Sequence, residues 1–120
     1  MQPNKIKFYL VSVVALLLIG CSNAPSKNYD TFASCLGSSG ATFYGAFWCP
    51  HCQNQKALFG SSAELLPYVE CSSPDRKSQL QTCKDKEIKS YPTWVFADGT
   101  RITGGIPLET LSQKTGCVLP

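Results

Sequence analysis

The sequence predicts an α/β domain, and three features of the chain carry that expectation. Apolar runs of strand length alternate with stretches of helical pattern, the arrangement of a sheet flanked by helices. Cys49-Pro50-His51-Cys52 sits at a junction between an almost continuous apolar run, Ala41 to Trp48, and a helical stretch. Asp98-Gly99 lies between two strand-like segments and is a strong hairpin signal. The 120 residues leave room for one domain. With 43% apolar and 16% charged residues, the chain is too apolar to be a disordered tail. The net charge of +3 comes without clustered basic residues, so no nucleic-acid partner is expected. Seven cysteines in so short a chain point to an exported, disulfide-bearing domain or to a zinc module.

The N-terminus suggests the compartment. Lys5 and Lys7 precede Phe8 to Ile19, an apolar run whose one polar member is Ser12. This is the pattern of a secretory signal. A permanent spanning helix needs about 20 apolar residues and is the weaker reading. Leu18-Ile19-Gly20-Cys21 resembles the lipobox of bacterial lipoproteins, which implies cleavage before Cys21 and acylation of its sulfur. The alternative is an ordinary signal with Cys21 as a free thiol. The expected organisation is a signal over residues 1–20, a lipidated tether over 21–29 and a folded domain over 30–120. Without Lys5 and Lys7, nine basic residues face eight acids, so no basic surface remains. Ser22 to Asn28 is polar with a proline and suits a tether.

Along the domain, Asp30 is placed to cap a helix through Phe32, Ala33 and Leu36, ended by Gly37 to Gly40. Ala41 to Trp48 reads as a strand covered on both faces. Gln53 to Phe59 reads as a helix closed by Gly60, and Ser61 or Ser62 could cap a second short helix. Tyr68 to Cys71 is a short strand candidate and Ser72 to Lys77 a polar loop. Ser78 to Ile88 has a helical look, broken by Tyr91-Pro92. Thr93 to Ala97 is a strand by β-propensity. The chain returns from the Asp98-Gly99 turn over Arg101 to Gly104, and a last helix starts near Pro107.

The C-x-x-C motif has physical content in this place. A cysteine at a helix N-terminus faces unsatisfied backbone N–H groups and the positive end of the macrodipole, and both favour thiolate over thiol. Cys49 is therefore the expected nucleophile, and Cys52, a turn further in, the resolving thiol. Pro50 suits the start of a helix. His51 can donate to the Cys49 sulfur or carry positive charge near it. Stabilising that thiolate stabilises the reduced form and makes the disulfide a better oxidant. Two alternatives stand beside this. Zinc would want a second close pair, whereas Cys71 and Cys83 are separated by eleven residues. A purely structural Cys49–Cys52 bridge is the other. A c-type haem site fails because Gln53, not histidine, follows Cys52. His51 is the only histidine and has no serine or paired-carboxylate partners, so hydrolase chemistry has no support. Lys84 to Glu87 reads as a solvated helix face.

Cys49-Pro50-His51-Cys52 after an apolar strand, followed further on by Tyr91-Pro92-Thr93, resembles the thioredoxin superfamily. That implies a thioredoxin-like fold over about Asp30 to Gly116, with a central mixed sheet flanked by helices. It also implies a cis Pro92 beside the redox pair, no metal, and no cofactor other than the Cys49–Cys52 disulfide. More narrowly, Phe43 to Gly60, Tyr68 to Cys71 and Tyr91 to Trp94 are similar to the thioredoxin-like domain linked to bacterial vitamin K epoxide reductase homologues. The implied partners are cysteine-containing exported proteins and a membrane protein of the vitamin K epoxide reductase type. The implied location is a lipid-anchored one in the bacterial cell envelope, facing the periplasm or the exterior. The Pro-His dipeptide is also that of periplasmic disulfide oxidases.

The resemblance further implies a Cys71–Cys83 disulfide, whose loop is short, leaving Cys35 for Cys117. Either pair could instead be a second redox relay. Tyr91 and Pro92 would offer backbone hydrogen bonds to an extended substrate. Trp48 either lines the substrate groove or only packs. One position departs from the family. Thioredoxins keep a buried acid six positions before the first active cysteine, and here that residue is Phe43. Glu70 is the nearest strand acid that could substitute for it, or it is simply a solvated strand end.

Overall fold

The structure, a computed structural model, describes Gly20 and residues 27–120. Residues 1–19, Cys21 and the tether as far as residue 26 lie outside the described residues, and with them the expected signal and lipidation site.

Helix α1 spans Asp30–Ser38. Its buried face is Phe32, Ala33 and Leu36, as the apolar spacing requires. Asp30 was expected to cap the helix but is its first residue, preceded by Tyr29 at the cap. Its amide donates to Asn28 Oδ1 at 2.8 Å, and its carboxylate accepts from Ser62 Oγ at 2.6 Å. A negative charge in the first turn suits the helix dipole equally well.

Strand β1 covers only Thr42–Gly45, half of the apolar run. The chain then leaves the sheet: the amide of Cys49 donates to Ala46 O at 3.0 Å, and Phe47 and Trp48 are exposed. Helix α2, Pro50–Ala57, starts at once with Cys49 as its cap. A 3₁₀ turn over Gly60–Leu65 follows, then strand β2, Tyr68–Glu70. Ser62 does not cap that turn; its hydroxyl oxygen accepts from the Tyr29 amide at 3.1 Å, tying the turn to the start of α1.

Helix α3 is Gln81–Asp85, shorter than the helical pattern of 78–88. Two contacts shorten it. The Leu80 amide donates to Cys71 O at 2.7 Å, which holds Leu80 extended, and Ser72 bridges to Gln79. Strands β3, Thr93–Val95, and β4, Arg101–Thr103, form the hairpin, with Gly99 at φ +83° in its turn, a conformation that favours glycine. Helix α4 runs Leu108–Thr115 with Pro107 at its cap.

The sheet order is β2-β1-β3-β4; β1 and β2 are parallel and the other neighbours antiparallel. This is the mixed sheet flanked by helices that the sequence predicts. Phe43 in β1 pairs across to both Tyr68 and Trp94. Its ring stacks on Trp94 at 4.8 Å, inside a core that includes Phe32, Leu36, Phe59 and Leu111. Burying a side chain of that size contributes about 1.5–3 kcal/mol. Two disulfides, Cys35–Cys117 and Cys71–Cys83, close the domain.

Candidate active site

β1 delivers its C-terminal end to the N-terminus of α2, and Cys49 lies at that junction. Its sulfur takes the position of a capping group, accepting a hydrogen bond from the Cys52 amide at 3.3 Å. Pro50 stands at the first helical position, where its missing N–H leaves no gap. The Cys49 thiol donates to the Tyr91 carbonyl at 3.6 Å, and the Tyr91–Pro92 peptide bond is cis. The turn leading into β3 is thus laid against the Cys49 sulfur. Among the described residues Cys49 and Cys52 are the free cysteines.

The two sulfurs differ in surroundings. Cys49 is 5% exposed and Cys52 1%. Burial, followed by the hydrogen bond to Cys49, pushes the Cys52 thiol up to about 12, while the nearby Lys56 ammonium acts the other way. Cys52 packs on the backbone of Gly45, where an added Cβ would come within 3.0 Å of its sulfur. Gly45 was not singled out from the sequence. An isolated glycine inside an apolar strand, marking close backbone approach, was the available signal.

Trp48 and Tyr91 form the wall beside Cys49. Their rings meet edge to face at 6.1 Å. Trp48 Nε1 donates to Ser72 Oγ at 2.7 Å, and Gln79 Nε2 donates to the Tyr91 hydroxyl at 2.8 Å. Ser72 and Gln79 belong to the loop that Cys71–Cys83 closes. Together with Arg76, Lys77 and Ser78 they and the two aromatics line a cavity of about 220 Å³. Neither Ser72 nor Gln79 could be found from sequence spacing, since both reach the site by chain folding.

His51 lies on another side. It lines a cleft of about 400 Å³ with Leu58, Ile106 and Pro107, while the hydrogen bond that reaches the Cys49 sulfur comes from the Cys52 amide. Gln55, buried, holds that cleft: its Oε1 accepts from the Ile106 amide at 2.8 Å and its Nε2 donates to Ile106 O at 3.1 Å. Phe43 stands where an acid would, stacked on Trp94 and edge-on to Tyr68. Glu70 is not a free strand end. Its carboxylate accepts from the Tyr68 hydroxyl at 3.1 Å and from the Cys71 and Ser72 amides at 3.0 Å each. Cys71 and Cys83 bond to each other and so do not form a second thiolate pair beside Cys49 and Cys52. Among the described residues no group of three or more His, Cys, Asp or Glu could hold a metal ion.

A free cysteine at a helix N-terminus, a second one buried behind it and a cis-proline loop against the first describe one arrangement. Residues 29–115 match the thioredoxin family. The chain belongs to that family. It is 40% identical over 99 residues to the thiol-disulfide oxidoreductase LTO1 of Arabidopsis thaliana, covering 79% of this chain and 26% of that protein. It is 36% identical over 91 residues to a thioredoxin domain-containing protein 5 homolog of Drosophila melanogaster, covering 68% of this chain and 22% of that protein. The chain therefore spans about a quarter of the length of these curated relatives.

Proposed function

We propose that this thioredoxin-family domain is a thiol–disulfide oxidoreductase working through Cys49 and Cys52, in the oxidising direction, on cysteines of exported proteins. The observation that carries it is the Cys49 sulfur, set at the N-terminus of α2 and against the Tyr91 carbonyl before cis-Pro92, with Cys52 buried behind it. The likeness to a plant thiol-disulfide oxidoreductase supports the same chemistry.

The reaction balances as follows. A substrate thiolate attacks Cys49; the Cys49–Cys52 bond breaks, and Cys52 leaves as a thiolate and takes up a proton. A second substrate thiolate then attacks its own sulfur in the mixed disulfide and expels Cys49. The substrate leaves oxidised and the protein holds two electrons. Resolution by Cys52, expected from the motif, belongs to the reverse direction, in which it would release the substrate reduced. The extended substrate lies along Tyr91-Pro92, pairing with backbone as an added strand does. The wider reading is a chain tethered through acylated Cys21 in the bacterial cell envelope. There a vitamin K epoxide reductase-like membrane protein removes the two electrons, and tethering raises the local concentration of the pair.

In the full chain held in detergent, Cys49→Ser is expected to abolish oxidation of a reduced dithiol peptide; oxidation at the wild-type rate refutes the assignment. Equilibration of Cys49–Cys52 against glutathione tests direction. A potential of about −180 mV or higher fits a disulfide donor, and one near about −270 mV reverses the electron flow.

A further inference from the structure

A buried thiol that must gain or lose a proton needs a route for it. Cys52 is 1% exposed, and burial holds its thiol far above the ordinary range. On β1 Phe43, which stands six positions before Cys49, is apolar and stacked on Trp94. The polar groups come from the neighbouring strand and from the helix. Tyr68 OH and the Cys52 sulfur both lie within 3.4 Å of the point that a Cβ on Gly45 would occupy. Only the missing side chain of Gly45 lets the two approach the same spot. The Tyr68 hydroxyl donates to Glu70 at 3.1 Å, and Glu70 is fixed in turn by the Cys71 and Ser72 amides. Lys56, one helical turn beyond Cys52, sets its ammonium 3.4 Å from the centre of the Tyr68 ring. The outer side of Tyr68 borders a cleft of about 350 Å³ that Lys56, Glu64 and Leu66 also line.

We propose that Tyr68, held by Glu70 and covered by Lys56, is the group through which Cys52 exchanges its proton during each disulfide cycle. This rests on the reading of Cys49 and Cys52 as the redox pair. In the oxidising half-reaction the sulfur–sulfur bond breaks, Cys52 leaves carrying the electron pair, and the proton it takes comes by way of the Tyr68 hydroxyl. Glu70 and water in the cleft restore that proton. In reverse, the Cys52 proton passes out by the same groups before its thiolate attacks. Tyr68 keeps its own proton across the working range, because burial and then the Glu70 carboxylate raise it. It therefore relays a proton without standing ionised. The groups that face this pair are Cys49 and Lys56 from α2 and Glu70 from β2, with Glu64 of the 3₁₀ turn at the cleft. Tyr91, on the cis-proline loop, turns its hydroxyl away to Gln79.

The test is stopped-flow reduction of the oxidised full chain by dithiothreitol, followed by tryptophan fluorescence from pH 6 to pH 10. Tyr68→Phe keeps the ring and the Lys56 contact and removes the hydroxyl. Glu70→Gln keeps the size and removes the proton acceptor. Each is expected to slow reduction about a hundredfold, the lower end of what a positioned acid or base contributes. In Tyr68→Phe the rate is further expected to climb in proportion to added imidazole, which reaches the cleft; wild type does not respond. Rates within twofold of wild type at every pH overturn the proposal. So does a slow Tyr68→Phe that imidazole leaves unchanged, since that is the behaviour of a merely structural residue. If Tyr68→Phe does not fold, Glu70→Gln carries the same decision through its rate and pH profile. A wild-type chain whose Cys49–Cys52 bond dithiothreitol reduces no faster than Cys35–Cys117 sinks the redox-pair reading itself, a result separate from these.

Discussion

The two disulfides do different jobs in one small domain. Cys35–Cys117 spans 82 residues and ties α1 to the end of the chain. Cys71–Cys83 spans 12 and closes the loop that supplies Ser72 and Gln79 to the wall beside Cys49. A cross-link stabilises chiefly by restricting the unfolded chain, so its effect on stability grows with the length it closes. Its effect on function follows what the closed segment touches. The longer staple is the larger stabiliser and the shorter one the closer to the chemistry.

Removing each staple breaks this comparison if it is wrong. Cys35→Ala with Cys117→Ala is expected to cost about 4.5 kcal/mol, and Cys71→Ala with Cys83→Ala about 3 kcal/mol. Thermal melts of the two double variants measure this, and the order of their Tm values is the decisive reading. Peptide oxidation by whatever fraction stays folded should rank the other way. The first variant keeps its turnover, and the second loses much of it with the Trp48 wall. If instead either pair relays electrons, it will be found reduced at the potential that half-reduces Cys49–Cys52. Alkylation and peptide mapping under that poise are expected to find both staples oxidised.

The inner side of the site answers to smaller changes. Gly45→Ala brings a Cβ to 2.9 Å from the Tyr68 ring and 3.0 Å from the Cys52 sulfur. Overpacking of this kind costs about 1–3 kcal/mol, and the melt of the reduced form should show it. The same buried sulfur gives a pH signature. Its folded-state value is raised from an ordinary 9.0 to about 12, so the folded chain keeps a proton that the unfolded chain sheds first. That stability is fully present below pH 9 and is lost as pH rises towards 12. The oxidised chain has no such thiol. The Cys52 contribution should therefore shift the gap between reduced and oxidised midpoints in denaturant against the reduced form above pH 9.

What could be read from the sequence was what local chemistry decides. Cys49 as a helix cap, Pro50 at the first turn and Gly99 in the hairpin are each set by residues next to them. The fold class followed from the alternation of strand and helix patterns. The length of β1 did not, because an apolar run does not say where the chain leaves the sheet; the departure is made by the Ala46–Cys49 turn. The helical pattern of 78–88 was overruled by contacts from Cys71 and Ser72. Glu70 could be named from the sequence only as the nearest strand acid, and Tyr68 was hidden for a related reason. The approach of Tyr68 to Cys52 over Gly45 depends on the register Phe43↔Tyr68 and Gly45↔Glu70 between parallel strands, which no spacing along the chain contains.

The smallest effect is expected at the rim, and it sharpens the assignment of the wall. Ser72 is buried, and its hydroxyl both accepts from Trp48 Nε1 at 2.7 Å and donates to Ser73 O at 2.9 Å. Ser72→Ala removes both bonds. Because Trp48 is 38% exposed, water can take over the indole N–H, so the loss should stay near about 1 kcal/mol. The melt will barely move. The indole, however, is no longer held edge-on to Tyr91. If Trp48 lines the path of the substrate, KM for a dithiol peptide rises a few-fold with kcat unchanged, the mark of lost binding rather than lost chemistry. An unchanged KM would mean that Trp48 only packs against Tyr91, and the binding wall would shrink to the Tyr91-Pro92 backbone.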